Sequence, residues 1–106
     1  MTTEDLIEEF IDKGIAAYKK LNRNSPEGIK LFRKEPVVIQ GVEFSCWREW
    51  TCFKMAEYLH DTIPEMYVEC NLDGNNSNIV IEVDDKQQQK LNTAMYSYLK
   101  TLESKR

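Results

Sequence analysis

Three cysteines, Cys46, Cys52 and Cys70, and a single histidine, His60, are where metal or nucleophile chemistry would have to start. Their spacings match no common zinc module. Cys46 and Cys52 lie six apart, so on one helix they diverge by about 120° and point to different sides. A nucleophile–histidine pair would have to use His60 with one of the thiols or a hydroxyl. His60 stands beside Asp61 at an expected helix end, where a charged imidazole complements the helix dipole. Asp73, Asn75 and Ser77 in "DGNNSN" occupy the first three ligand positions of a calcium loop. The sixth residue is Asn78 instead of glycine, the twelfth is Asp84 instead of glutamate, and the flanks read as strands. A hairpin turn needs glycine and asparagine there for backbone reasons alone. No glycine-rich phosphate loop or isolated carboxylate pair is present. The reading is no catalytic residue, no metal site and no cofactor.

The other dense cluster is "FSCWREWTCFKM", residues 44–55, with two tryptophans and two cysteines. Ser45 can cap a helix of about 46–60. At 100° per residue, Cys52, Met55, Ala56 and Leu59 share one side, with Phe53 at its edge. Trp47, Trp50, Lys54 and Tyr58 share roughly the opposite side, beside Thr51 and Glu57. A helix apolar on both sides is usually sandwiched between layers. The alternative is an aliphatic core side and an aromatic binding side, because interface hot spots favour Trp, Tyr and Arg. Trp47, Trp50, Lys54 and Tyr58 are therefore the candidate protein interface.

The flanking elements must position this helix. Leu6, Ile7, Phe10, Ile11, Gly14, Ala17, Tyr18 and Leu21 form one stripe of a helix over about 3–22, capped by Thr2 or Thr3. Gly14 sits inside that stripe, where it weakens the helix but permits close packing. Ser25, Pro26 and Glu27 open a short helix over about 26–34. "VVIQGVEFS", residues 37–45, is either a hairpin turning at Gln40-Gly41 or one strand bulged at the glycine. Residues 66–84 alternate with period two on both sides of a turn, an antiparallel hairpin. A last helix over about 86–103 opens with a capping box of Asp85 and Gln88 and carries the stripe Leu91, Ala94, Met95, Tyr98, Leu99, Leu102. The order predicts an α+β fold: one small domain over 1–106, with an antiparallel sheet packed against amphipathic helices.

Charge is unevenly placed. The chain of 106 residues has a net charge of −4 and a pI of about 5.0. Five acids and no base fall in residues 1–12, and seven bases fall in 13–34 against Glu27 alone. Residues 35–85 hold eleven acids with only Arg48 and Lys54, and 86–106 hold five bases with Glu103. The basic segments 13–34 and 86–106 would be the surface of a nucleic-acid binder, but the acidic middle would repel a polyanion. An odd number of cysteines, an acidic N-terminus and no apolar run near about 18 residues point to a cytoplasmic chain without a membrane span. The expected function is a non-catalytic protein-binding module of inhibitor, immunity-type or adaptor kind, occluding a partner surface such as a basic groove. Nucleic-acid binding through the basic segments is the alternative, and a small enzyme the second. Self-association through the last helix stays open.

Overall fold

The computed structural model describes residues 3–104. Four helices and two hairpins follow in the order α1 (Thr3–Leu21), α2 (Pro26–Phe32), β1 (Val37–Ile39), β2 (Val42–Phe44), α3 (Trp47–Thr62), β3 (Tyr67–Asn71), β4 (Asn78–Glu82) and α4 (Asp85–Ser104). This is the α+β fold expected, with one refinement. The hairpins stay apart as two antiparallel two-stranded sheets.

Local chemistry sets each boundary. Ser25 caps α2 by accepting the Gly28 N–H at 3.0 Å, with Pro26 in the first turn. α2 ends two residues before the expected 34, in a Schellman motif. Lys34 takes φ 60°, its N–H bonds the Leu31 carbonyl, and the Glu35 N–H bonds the Lys30 carbonyl. Gln40 and Gly41 both take positive φ, 53° and 80°. That is the two-residue turn matched to strand twist, and it resolves residues 37–44 as a hairpin with Val37 opposite Phe44. The second hairpin pairs Tyr67 with Glu82 through Asn71 with Asn78. Its turn is closed by Ser77, whose hydroxyl accepts the Asp73 N–H at 2.8 Å and donates to the Gly74 carbonyl at 2.7 Å.

Two expected caps lie elsewhere. The box opening α4 is one residue earlier than Asp85 with Gln88. The Gln87 N–H donates to Asp84 Oδ1 at 2.8 Å and the Asp84 N–H to Gln87 Oε1 at 3.3 Å. Gln88 is occupied instead, accepting from Thr3 Oγ1 at 2.9 Å and donating to Asn92 at 3.0 Å. At α3 the cap position is Cys46, whose side chain makes no capping bond. Ser45 still holds the helix start, donating from its N–H (2.7 Å) and hydroxyl to the buried Glu49 carboxylate. The capping reading of Thr2 lies outside the described residues.

α3 is the hub. It packs against α1, α4, β2, β3 and β4. Thr51, Cys52, Met55 and Leu59 are fully buried along it, against Phe10 and Ile11 of α1, Phe44 of β2, and Leu91 and Met95 of α4. Val68 and Ile79 close the core from the second hairpin. Period-two alternation therefore does what it should: Val68 and Ile79 face in, while Tyr67, Glu69, Val80 and Glu82 face out.

Candidate functional site

The four candidate residues do not stay together. Trp47 and Trp50 are each only 7% exposed. Trp47 packs on Phe32 of α2 at 5.3 Å between ring centroids and lines a groove with Leu31, Phe32 and Lys34. Trp50 faces Phe44 at 5.6 Å and Tyr18 at 6.4 Å. The two indoles meet edge to face at 6.2 Å, a favoured aromatic geometry. The sandwiched-helix description fits both tryptophans: α3 buries its aromatic side under α1 and α2.

Trp50, Lys54 and Tyr58 do converge. At successive spacings of four residues, they stand on one face of α3. They line a groove of about 510 Å³ with Tyr18 and Asn22 of the α1 end and Tyr98 and Thr101 of α4. Lys54 Nζ lies 5.7 Å from the Trp50 ring centroid, within cation–π reach. Tyr58 stacks on Tyr98 at 4.5 Å. The hydroxyls of Tyr18 and Tyr98 bond each other across α1 and α4. Burial pushes both phenols above their ordinary range. The groove thus offers aromatic walls, one ammonium and neutral hydroxyls: it can seat a flat or apolar side chain with an acceptor at its rim.

Sequence reasoning missed Tyr18 and Tyr98. Their periodicity placed them in the core stripes of α1 and α4, and the signal lay in residue type. A phenol on a core stripe needs a hydrogen-bond partner, and two such phenols on neighbouring helices can satisfy each other.

Among the described residues no hydrogen bond joins His60 to a thiol. His60 Nε2 lies 2.9 Å from the Val68 carbonyl. Cys52 is fully buried, and burial pushes its thiol up to about 12. Cys70 is half-buried and raised for the same reason. Among the described residues no three of His, Cys, Asp and Glu come together as ligands, and no helix is long and apolar enough to cross a membrane. Asp73 and Ser77 meet through the turn described above, which already engages the Ser77 hydroxyl.

Along α1 charge is segregated as in the sequence. α1 carries Glu4, Asp5, Glu8, Glu9 and Asp12 in its first half and Lys13, Lys19 and Lys20 in its second. Two local pairs bridge the divide: Lys13 with Glu9 at 2.8 Å, and Arg48 with Glu8 at 2.5 Å. Compared with known proteins, the chain matches no family model, no curated protein and no solved structure.

Proposed function

We propose that this chain is a small, non-catalytic protein-binding module that acts by occluding a partner's surface, as an inhibitor, immunity-type or adaptor protein does. The observation that carries the reading is the convergence of Trp50, Lys54 and Tyr58 with Tyr18 and Tyr98 on one groove. Aromatic rings anchored from beneath, with one cation at the rim, are the residue types that dominate interface energetics. Trp50 supplies the buried support, while half-exposed Lys54 and Tyr58 are the contact residues. The unpaired thiols of Cys46, Cys52 and Cys70 fit a reducing compartment, and we place the protein in the cytoplasm.

The test is affinity capture at low salt with the wild-type chain, followed by titration of the purified captured partner against Tyr58→Ala and Lys54→Glu. Both variants should keep the wild-type circular dichroism. The expected result is a loss of roughly tenfold or more in affinity for each. Unchanged affinity in both variants, or no saturable partner at low salt, would remove this groove as the interface.

A further inference from the structure

The outer edge of β4 is open, and its orientation follows from bonds elsewhere in the hairpin. The Val68 carbonyl is engaged by His60, so it points away from β4. In an antiparallel pair the N–H and C=O of one residue point the same way, and successive residues alternate. Val68 faces Ile81 and Cys70 faces Ile79. Both are therefore non-hydrogen-bonded pairs, and Ile79 and Ile81 turn their main-chain groups outward. Ser77 has the same parity, and its carbonyl accepts Arg48 Nε at 2.6 Å on that outer side. Among the described residues no hydrogen bond reaches the outward groups of Ile79 or Ile81.

That edge faces a groove of about 620 Å³ against the start of α1. Four successive strand residues, Asn78 to Ile81, line it. Since their side chains alternate between faces, what they share is the edge itself. Thr3, Glu4, Ile7 and Glu8 form the opposite wall, and no lysine or arginine does. Arg48 closes one end, bound to Glu8. Glu4 in that wall, and Glu82 at the end of β4 beyond the lining, have no ion-pair partner among the described residues.

We propose that the β4 edge takes up an extended, lysine- or arginine-bearing segment of a partner protein as a third strand between β4 and α1. Main-chain bonds to Ile79 and Ile81 would hold the segment, Ile7 would contact its inward side chains, and Glu4 and Glu82 would select its basic ones. A second copy of this chain suits the groove poorly, because it would bring its own α1 and its own carboxylates. The proposal rests on the reading as a protein-binding module, but not on the aromatic groove.

Amide exchange read by NMR on the intact chain tests it, using a short peptide of alternating lysine and valine as probe. In the free protein, Ile79 and Ile81 should exchange fast and Val80 slowly. At ten times its Kd the peptide should slow Ile79 and Ile81 about tenfold. The acidic counterpart, alternating glutamate and valine, should not bind, and Glu4→Lys with Glu82→Lys should weaken the basic peptide about tenfold. Slow exchange of Ile79 and Ile81 in the free monomer would overturn the proposal, as would equal binding of both peptides or no effect of either. Protection that rises with protein concentration alongside a dimer in sedimentation would assign the edge to a second copy and also overturn it. Peptide shifts confined to Trp50 and Tyr58 would defeat the edge while leaving the module reading intact.

Discussion

Gly14→Ala sets two well-measured effects against each other, and the structure decides the sign. In an exposed helix interior this change would stabilise by about 0.8–1.0 kcal/mol through helix propensity alone. Gly14, however, is buried where α1 crosses α3. A β-carbon built there lies 2.8 Å from Thr51 Cγ2 and 3.4 Å from Met55 Sδ. The first distance is about 1 Å inside an ordinary carbon contact. Thr51 is 0% exposed, and a threonine in a helix has only two favoured χ1 wells with which to retreat. Overpacking of this kind costs about 1–3 kcal/mol. The expected net change is a loss of about 1 kcal/mol, or a Tm lower by about 4–8 °C. Urea denaturation of four chains checks it: wild type, Gly14→Ala, Thr51→Ser and the double variant. Thr51→Ser removes the clashing methyl, so Gly14→Ala should become neutral or stabilising in that background, with a coupling of about 1 kcal/mol or more. A wild-type or higher stability for Gly14→Ala alone would refute the close approach. An equal loss in both backgrounds would refute Thr51 as its cause.

Four further outcomes follow. Lys34 holds a left-handed conformation at the end of α2, so Lys34→Gly should stabilise by about 0.5–1 kcal/mol; Lys34→Ala, which keeps the strain, should not, and urea midpoints distinguish the two. Cys52 should resist aromatic disulfide reagents at neutral pH until the chain unfolds, and labelling of the folded protein at the rate of the unfolded chain would contradict its burial. The thiol of Cys52, at about 12 when folded against 9.0 for the free group, binds its proton more tightly in the folded state. Stability should be fully present below about pH 9 and fall as pH rises from there towards 12. The raised phenols of Tyr18 and Tyr98 add to the fall above about pH 10, and an unfolding midpoint flat to pH 11 would contradict all three assignments. Tryptophan emission should be blue-shifted and little quenched by iodide, given 7% exposure of each indole.

Much of the fold was legible because its helices and second hairpin obey simple periods. The α1 and α4 stripes and the alternation of residues 66–84 appear in the structure with shifts of a residue or two at their ends. Ends move because caps compete: Gln88 was available to Asp85 on spacing, yet Thr3, far away in sequence, occupies it. The two-residue turn at Gln40-Gly41 could not be told from a bulge, because both need the same glycine. Only the pairing of Val37 with Phe44 decides it.

The candidate site was half legible, for a physical reason. Projecting α3 identified which side chains share a side, but not which neighbour covers that side. Trp47 and Trp50 lie on one stripe and yet enter different grooves, since α2 lands on the first and the ends of α1 and α4 frame the second. What covers a face depends on contacts between residues far apart in sequence, such as the Tyr18–Tyr98 pair across 80 positions. The β4 edge was less legible still. What it presents are main-chain atoms that every residue carries, and their outward direction is set by strand register and read from the bonds His60 and Arg48 make. Residue types can suggest an aromatic interface; an open strand edge is specified by parity and placement. The carboxylates on the wall of the groove it faces, Glu4 and Glu8, come from α1 and not from the acidic middle of the sequence, so charge along the chain did not mark this edge.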